Sequence, residues 1–450
     1  MKEKLRIIVG LGKTGLSCAR YLHSLGEVFM VTDSRQTPPG LAEFRAEFPE
    51  VALELGGFRE ETLVNASELI VSPGISLQTL EIQVAINAGV GITGDIDIFS
   101  RAVQRPIVAV TGSNGKSTVV SLLGAMAREA GINVSVGGNL DGAEASPALD
   151  LLRLKPADLY ILELSSFQLE TTRNLGAEAA VILNVSDDHM DRYSNLQEYQ
   201  NAKQRIFLGC RQVVVNRDDA ASIPRIAPPS ATTHSYGLDV PQYNSWGIVR
   251  AGQQDYLAFG DEKLIAASEL KIAGKHNLSN ALAALALGTA IGLPRHCMLV
   301  TLRKFPGLPH RCQWIRNLRG VDYYNDSKGT NVGASMVAVE SLGELVKGRI
   351  VLIAGGVDKG ADFSPMQPVV EKFVKLAVLI GRDAKKIAIV LKDVTETIFA
   401  ETLPDAVAVS AARAVPGDAV LLSPACASFD MFTDFTHRGH VFTEAVEGLP

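Results

Sequence analysis

The sequence predicts an α/β protein of three domains, each a mainly parallel sheet flanked by helices. Short apolar runs of β-type residues alternate with helical stretches along the chain, a pattern typical of parallel strands joined by helical crossovers. The runs fall into three series, and each series is long enough for its own sheet. At 450 residues the chain also exceeds the size of one compact hydrophobic core.

The three series set the expected domains at residues 1–95, 96–306 and 307–450. The expected strands lie at residues 6–9, 28–31, 68–71, 107–110, 159–162, 180–183, 213–215, 321–324, 349–353, 376–380 and 419–422. Arg105-Pro106 indicates a linker before the second series, and the proline-rich stretch 305–309 indicates a stiff joint before the third. Between Asn216 and Leu270 the alternation fades, which predicts an irregular or antiparallel insert.

Composition and charge exclude several classes of protein. The hydrophobic share of 47% and the charged share of 20% are ordinary for a soluble domain. A net charge of −6 argues against a general nucleic-acid or membrane-surface binder, and no apolar stretch is long enough to span a bilayer. Five scattered cysteines without a C-x-x-C pair indicate reduced thiols. We therefore expect a cytoplasmic monomer that binds small molecules and neither nucleic acid nor membrane.

The most specific motif is a phosphate-binding loop, Gly112-Ser113-Asn114-Gly115-Lys116-Ser117-Thr118, directly after the apolar run 107–110. A strand that ends in a glycine-containing turn aims backbone N–H groups at one point, and the following helix adds its positive N-terminus. Lys116 would reach the β- and γ-phosphates of ATP, and Ser117 or Thr118 would bind Mg²⁺. The usual G-x-x-x-x-G-K pattern has glycine where this chain has Val110, so the loop is a variant form.

Glu163 and His189 are candidate ligands of a metal ion. Glu163 ends the apolar run 159–162 and should lie at the carboxyl end of a strand, where open α/β sheets bind ligands. An ordinary acidic strand end is the alternative. His189 lies in the polar segment that follows the run 180–183, where it could bind a metal or touch substrate. A solvated histidine is the alternative there.

Lys203 falls on an apolar helical stripe together with Leu196, Tyr199, Ile206 and Phe207. One interpretation is a snorkelling lysine whose ammonium reaches water. The other is a desolvated lysine with a lowered pKa that is available for chemistry. The pattern alone does not choose between the two.

A second nucleotide site is predicted near the N-terminus. Gly10-Leu11-Gly12-Lys13-Thr14-Gly15 follows the run 6–9, and Asp33 ends the next strand, which matches the dinucleotide fingerprint. Taken alone, the match suggests an NAD enzyme. A UDP-sugar satisfies the same demands, because it also brings a diphosphate to the helix N-terminus and a sugar hydroxyl to the acid.

Three polar clusters follow expected strands in the last third of the chain, at Asn325–Asn331, Gly355–Gly360 and Ser423–Ser428. They should emerge at the same edge of a parallel sheet, which is the edge that binds ligands. Their lysines and hydroxyls suit an acidic substrate. Helix-capping turns are the alternative for each cluster.

Taken in order, these motifs resemble those of the Mur ligases, the ATP-dependent amide ligases of peptidoglycan synthesis. The similarity runs along essentially the whole chain and also rests on Glu163–Leu169, Asp188–Tyr193, Gly274–Asn277 with Asn280, and Pro309–Arg311. Residues 10–15, 325–331 and 423–428 are most similar to the members that add D-glutamate to UDP-N-acetylmuramoyl-L-alanine. The chain differs from the family at Leu140-Asp141 and in a shorter segment after His189.

The resemblance implies a Rossmann-like N-terminal domain for the UDP-sugar, a P-loop ATPase-like central domain and a Rossmann-like C-terminal domain for the amino acid. The implied UDP-sugar contacts are Thr14, Asp33, Ser34, Arg35, Gly74, Asn139 and His189. Besides residues 112–118, the implied ATP contacts are Asn277, Asn280, Arg311 and Asp326. The implied D-glutamate contacts are Lys328, Thr330, Lys359, Ser428 and Phe435.

The resemblance also implies two Mg²⁺ ions, for which Mn²⁺ could substitute. Glu163 with Ser117 or Thr118 would hold the first ion, and His189 with a carbamylated Lys203 would hold the second. The implied catalytic residues are Lys116, His189, Lys203 and Lys328. In the implied reaction, the substrate carboxylate attacks the γ-phosphate of ATP, and the amino acid then displaces phosphate from the acyl phosphate.

Three alternatives stay open at this point. An NAD-dependent dehydrogenase built on Gly10–Gly15 would leave the second phosphate loop and Glu163 unexplained. A non-enzymatic nucleotide switch needs only one nucleotide site. A sister Mur ligase or a folate polyglutamate ligase that adds another amino acid would share the central motifs.

Overall fold

The computed structural model describes residues 5–140, 146–272, 274–358 and 360–450, and within these ranges the chain forms three sheets. Each sheet is mainly parallel and is covered by helices, so the predicted α/β class with three units is confirmed. Every helix within the described ranges is too short or too polar to act as a transmembrane span.

The N-terminal unit places its glycine loop at the centre of its sheet. Its elements are β1 (Arg6–Val9), α1 (Lys13–Ser24), β2 (Phe29–Asp33), α2 (Leu41–Glu47), β3 (Leu53–Leu55), α3 (Glu60–Val64), β4 (Glu68–Val71), α4 (Leu80–Asn87) and β5 (Gly91–Thr93), and they are followed by α5 (Asp95–Ala102), which packs against the central unit. The strands are parallel in the order β3-β2-β1-β4-β5. Because β1 pairs with both β2 and β4, the loop after β1 lies at the point where the strand order reverses, which is where such sheets bind ligands.

The central unit is built around β6, which carries the phosphate loop. Its elements are β6 (Ile107–Thr111), α6 (Lys116–Glu129), β7 (Val134–Gly138), α7 (Ala148–Leu151), β8 (Leu159–Glu163), α8 (Ser166–Glu170), β9 (Ala179–Ile182), α9 (Leu196–Gln204), β10 (Gln212–Asn216), β11 (Thr232–Tyr236), β12 (Trp246–Ala251), β13 (Gln254–Phe259), β14 (Glu262–Ala266), α10 (Lys275–Ala290) and α11 (Arg295–Lys304). The strand order is β14-β13-β12-β11-β10-β9-β6-β8-β7. The segment expected to be antiparallel does contain the antiparallel pairs β12–β13 and β13–β14, but they extend this sheet instead of forming a separate insert.

The C-terminal unit brings the three polar clusters together. Its elements are β15 (Gln313–Leu318), β16 (Val321–Asn325), α12 (Val332–Gly343), β17 (Ile350–Gly355), α13 (Gln367–Phe373), β18 (Val374–Ile380), α14 (Ala384–Leu391), β19 (Glu396–Phe399), α15 (Leu403–Arg413), β20 (Ala419–Leu422) and α16 (Phe435–Glu447). The order is β15-β16-β20-β17-β18-β19, with only β15 antiparallel to its neighbour among these strands of the described chain. Since β16, β20 and β17 are adjacent and parallel, the clusters after them emerge at one edge, as expected.

Candidate active site

The phosphate loop is held in shape by groups outside it. Gly115 has a φ of +85°, a region that side chains rarely adopt, and a Cβ added there would lie 2.3 Å from Asn280 Oδ1. The Asn114 N–H donates to Asn184 Oδ1 at 2.8 Å, and Asn184 Nδ2 donates to the Asn114 carbonyl at 3.0 Å. The loop is therefore fixed by the end of β9 as well as by its own glycines.

A buried acid lies beside the first turn of α6. Glu163, at the end of β8, is 2% exposed and accepts a hydrogen bond from Ser117 Oγ at 2.6 Å and from Asn139 Nδ2 at 3.3 Å. Arg311 of the C-terminal unit reaches across and donates to Ser117 Oγ at 2.6 Å. A carboxylate and a hydroxyl are oxygen donors that fit Mg²⁺, with phosphate oxygens and water completing its shell. Among the described residues, no group of three or more His, Cys, Asp or Glu side chains could hold a metal ion by itself.

Lys203 is buried inside the central unit at 1% exposure, so the snorkelling interpretation is wrong. Its Nζ donates to the Gly112 carbonyl at 2.9 Å and lies 4.3 Å from the centre of the Tyr199 ring. Burial, and after it the positive charge of Lys116, lowers the pKa of Lys203 well below its usual range. A neutral amine is not a ligand for Mg²⁺, so this lysine fits a metal site only if it carries a carbamate.

The expected apolar stripe around Lys203 is correct for three of its four members. Tyr199, Ile206 and Phe207 are buried, whereas Leu196 is 39% exposed. The regular helix α9 begins at Leu196 and ends at Gln204, and Ile206 and Phe207 lie on a 3₁₀ turn. Leu196 therefore lies at the first position of the helix, where it is only partly covered.

His189 is held in position rather than simply solvated. It has a φ of +59°, its Nε2 lies 3.6 Å from Asp188 Oδ2, and its ring packs edge-on against Phe167 with 4.7 Å between ring centres. Asn331 Nδ2 of the C-terminal unit lies 3.3 Å from Asp188 Oδ2 and 3.4 Å from Asn114 Oδ1. The loop that carries His189 and the phosphate loop thus both contact Asn331 at the start of α12.

A cavity of about 510 Å³ lies between the central and C-terminal units. The residues predicted for ATP that line it are Asn114, Gly115, Thr118, Asn277, Asn280, Arg311 and Asp326, and Lys328 lines it as well. Asp326 accepts hydrogen bonds from the Cys312 N–H at 3.1 Å and Ser423 Oγ at 2.7 Å. Burial raises the pKa of this carboxyl to about 6.

A second cavity, of about 420 Å³, opens over the glycine loop of the N-terminal unit. The residues predicted for the UDP-sugar that line it are Thr14, Ser34, Arg35, Gly74 and Asn139. Asp33 lies behind this wall, because its carboxylate is fully buried and accepts from the Leu11 N–H at 2.7 Å and from Arg35 Nε at 2.8 Å. In this structure it therefore orients the glycine loop and Arg35.

Arg192 joins the N-terminal unit to the central unit. Its guanidinium donates to the carbonyls of Pro73 at 3.4 Å and Ile75 at 3.2 Å, forms an ion pair with Glu170 at 2.6 Å and lies 4.7 Å from the centre of the Phe167 ring. Pro73 and Ile75 flank Gly74 in the wall of the second cavity. The position of that wall is thus linked to the segment that carries His189.

The residues predicted for the amino acid gather at the edge of the C-terminal sheet. Lys328 Nζ lies 3.9 Å from the centre of the Phe435 ring, and the Thr330 N–H donates to the Lys328 carbonyl at 2.8 Å. Ser428 is 2% exposed in the loop after β20. Lys359, predicted to share this role, lies outside the described residues.

Family comparison covers nearly the whole chain. Residues 4–94 match the model described as "Mur ligase MurD-like, N-terminal domain", residues 110–288 match "Mur ligase middle domain", and residues 310–426 match "Mur ligase, glutamate ligase domain". The UDP-N-acetylmuramoylalanine–D-glutamate ligase of Pseudomonas aeruginosa is 52% identical over 447 residues, which cover 99% of this chain and 98% of the relative. That of Marinobacter nauticus is 51% identical over 100% and 99%. The chain belongs to the Mur ligase family.

Solved structures share the fold of this Mur ligase. MurF from Acinetobacter baumannii aligns with a TM-score of 0.63 at 16% identity over 98% of this chain and 93% of that one. UDP-N-acetylmuramate–alanine ligase from Thermotoga maritima aligns with a TM-score of 0.61 at 18% identity over 99% of each chain. Family membership makes this chain an ATP-dependent ligase, so the dehydrogenase and nucleotide-switch interpretations are wrong.

Several residues that shape the sites of this Mur ligase were not assigned a role from its sequence. Asn184 forms hydrogen bonds with the phosphate loop, and Arg192 of the central unit contacts the N-terminal unit. Asp95 and Gln168 line the second cavity. Arg438 lies fully buried beneath the amino-acid cluster. Asn184, Arg192 and Gln168 stood in segments already marked as functional, so only these could have been found from their motifs.

Proposed function

We propose that this Mur ligase joins D-glutamate to UDP-N-acetylmuramoyl-L-alanine at the expense of ATP, in peptidoglycan synthesis. The observation that carries the proposal is the identity of 51–52% to D-glutamate ligases over essentially the full length of both chains. The proposal is supported by two separate cavities, one above each nucleotide motif, to which we assign ATP and the UDP-sugar.

Each of the three units is proposed to bind one of the three substrates. Residues 1–95 would bind the UDP-sugar through Thr14, Ser34, Arg35 and Gly74, with Asp33 behind them and Asn139 opposite. Residues 96–306 would bind ATP, with Asn277 and Asn280 beside the loop at 112–118. Residues 307–450 would bind D-glutamate, and the contacts proposed there are Lys328, Thr330, Lys359, Ser428 and Phe435. We further propose that the enzyme is a monomer of the cytoplasm.

In the first proposed step, an oxygen of the substrate carboxylate bonds to the γ-phosphorus of ATP while the bond from that phosphorus to the β–γ bridging oxygen breaks. ADP leaves and an acyl phosphate remains. Lys116 is positioned by the Gly112 and Ser113 carbonyls, both at 2.9 Å from its Nζ, and would turn its charge to the transferring phosphoryl group. Glu163 with Ser117 or Thr118 would hold Mg²⁺, which would supply positive charge to the phosphate oxygens.

In the second step, the amine of D-glutamate bonds to the acyl carbon and phosphate leaves with its electron pair. The amine must also lose a proton, and His189 beside Asp188 is the candidate to accept it at Nε2. A histidine that binds a metal through Nε2 cannot take a proton there, so this role and metal binding exclude each other. Closure of the C-terminal unit, through Arg311 and Asn331, would keep water from the acyl phosphate.

Carbamylation of Lys203 is part of the proposal. Only a neutral amine adds to CO₂, and the burial of Lys203 favours that form. The neutral amine forms a nitrogen–carbon bond with CO₂ and releases one proton, so an uncharged buried side chain becomes an anion that could pair with Lys116 or bind a second metal ion with His189. The burial of this lysine, rather than its sequence motif, is the physical support for the modification.

The test is release of phosphate from ATP in the presence of UDP-N-acetylmuramoyl-L-alanine and a panel of amino acids. We expect D-glutamate to stimulate release far more than L-glutamate, glycine, L-alanine, L-lysine or diaminopimelate. Mass spectrometry should find a product with one added glutamyl residue. Stimulation by another amino acid but not by D-glutamate would overturn the assigned specificity and favour a sister ligase.

A further inference from the structure

The C-terminal unit contains a buried cation without an acidic partner. Arg438, in the first turn of α16, is 0% exposed. Among the described residues, no carboxylate oxygen lies within 4.0 Å of its guanidinium. By contrast, most arginines that do form ion pairs in the described chain lie at the surface. Burial of an unpaired charge is unfavourable, so its position calls for a reason beyond packing.

The side-chain hydrogen bonds of Arg438 to described residues go to two loops. Nε donates to Ser327 Oγ at 3.0 Å, and Nη2 donates to the Ser327 carbonyl at 2.8 Å. Nη1 donates to the Cys426 carbonyl at 3.1 Å. Ser327 follows β16 and Cys426 follows β20, so one side chain fixes the distance between the two loops.

The two loops are those proposed to hold the amino acid. Lys328 is the neighbour of Ser327, and Ser428 lies two residues after Cys426. Ser327 Oγ also donates to the Phe435 carbonyl at 2.8 Å, which brings the residue beneath the Lys328 ammonium into the same network. Movement of the Arg438 guanidinium would therefore shift the proposed contacts of the amino acid together.

The charge of Arg438 also affects which ligands the two loops favour. Burial lowers its pKa to about 10, so it stays protonated at neutral pH. Asp430 and Asp326 interact with the guanidinium electrostatically, but neither forms a direct ion pair with it. A buried positive charge without a paired carboxylate favours an anionic ligand at the adjacent loops, because the surrounding protein screens the charge weakly.

We propose that Arg438 is a positioning residue for the amino-acid substrate, which joins the loops after β16 and β20 and supplies positive potential for a ligand with two carboxylates. The inference rests on the proposed function. It assigns to α16 a part in selecting an acidic amino acid, in addition to covering the sheet.

The test compares Arg438→Lys and Arg438→Met with the control Arg349→Lys. Arg349 lies in the same unit and donates to the carbonyls of Glu371 at 2.7 Å and Val374 at 2.9 Å, but it precedes β17 at the opposite end of the sheet. We expect Arg438→Met to raise the KM for D-glutamate at least about tenfold, because it loses both the charge-assisted hydrogen bonds and the charge. Arg438→Lys should lie between Arg438→Met and wild type, and the KM values for ATP and the UDP-sugar should change less than about twofold.

The inference is overturned if the KM for D-glutamate changes no more in either Arg438 variant than in Arg349→Lys, or if the KM values of all three substrates rise together. If Arg438→Met does not fold, Arg438→Lys decides by the same criterion. A wild-type enzyme that responds to another amino acid would contradict the proposed function alone, and the inference would then be judged by the KM for that amino acid.

Discussion

The Nζ atoms of Lys116 and Lys203 both lie 2.9 Å from the same acceptor, the carbonyl oxygen of Gly112. Two ammonium groups that share one acceptor repel each other, and the buried one loses its proton more readily. Lys203 is that residue. The phosphate loop therefore joins the less buried Lys116, which is proposed to face ATP, to a buried amine that can become a carbamate.

Replacement of Lys203 should abolish catalysis without abolishing folding. Lys203→Arg keeps a cation that cannot add to CO₂, and Lys203→Met keeps the apolar stem alone. We expect both variants to lose at least about 100-fold in kcat, comparable to the loss of a key electrostatic contact. ¹³C NMR in labelled bicarbonate should show a carbamate signal in wild type and none in Lys203→Met. A variant with wild-type kcat would contradict the proposed role of this lysine.

Replacement of Glu163 should change the metal requirement. Glu163→Gln keeps the shape of the side chain and removes the charge that would bind Mg²⁺ beside Ser117. We expect the Mg²⁺ concentration for half-maximal activity to rise about tenfold or more. The matched control is Glu178→Gln, since Glu178 pairs with Arg211 at the surface of the same unit. An equal metal dependence for both variants would remove Glu163 from the metal site.

Arg192 should influence binding of the UDP-sugar specifically. Arg192→Lys loses the planar guanidinium that donates hydrogen bonds to the Pro73 and Ile75 carbonyls and to the Glu170 carboxylate. We expect the KM for UDP-N-acetylmuramoyl-L-alanine to rise about tenfold while the KM for ATP stays within about twofold.

Arg205→Lys is the control for Arg192, because Arg205 donates to the Leu169 and Thr172 carbonyls without leaving the central unit. Titration calorimetry with the UDP-sugar gives the affinity directly. If the two variants weaken UDP-sugar binding equally, the contact between the units is not what positions the second cavity.

Asp95 should make the stability of the protein depend on pH. Burial raises the pKa of this carboxyl from 3.8 to about 6, and Gln168 Nε2 donates to it at 3.0 Å. Since the folded state binds the proton more tightly, this group stabilises the fold most below pH 4, and the contribution is lost as the pH rises to about 6. Asp95→Asn removes that dependence. Its free energy of unfolding, relative to wild type, should rise by up to about 3 kcal/mol between pH 4 and 7.

Denaturant titration at several pH values measures the difference between Asp95→Asn and wild type. A constant offset is expected as well, because the new amide N–H₂ replaces a carboxylate oxygen in a buried site where one oxygen already lacks a partner. Only the slope with pH is diagnostic. An offset that is equal at pH 4.5 and pH 7 would show that the Asp95 carboxyl is not the group that titrates.

The parallel strands that are buried on both faces could be predicted from sequence, and several partly exposed strands could not. Strands such as β6 and β17 are buried on both faces and form continuous apolar runs. The strands β3, β5 and β19, which apolar runs did not mark, lie at sheet edges and are partly exposed. Their residues do not need to be apolar, so their sequences resemble those of loops.

Some residues of the candidate site could likewise be predicted from sequence, and others could not. Residues that follow a strand or begin a helix, such as Lys116 and Glu163, could be found because the local motif and the chemistry coincide. Arg438 could not be found, because an arginine in an amphipathic helix usually faces solvent. Its burial depends on two loops that are distant in sequence and meet only in the fold.

The central claim is that ATP activates the substrate carboxylate as an acyl phosphate, and transfer of isotopic oxygen tests it most directly. UDP-N-acetylmuramoyl-L-alanine labelled with ¹⁸O in its carboxylate would be converted with ATP and D-glutamate, and the released phosphate analysed by mass spectrometry. The account predicts one ¹⁸O atom in each released phosphate, because the carboxylate oxygen that bonds to phosphorus leaves with it. Released phosphate without ¹⁸O, formed together with the amide product, would contradict the account.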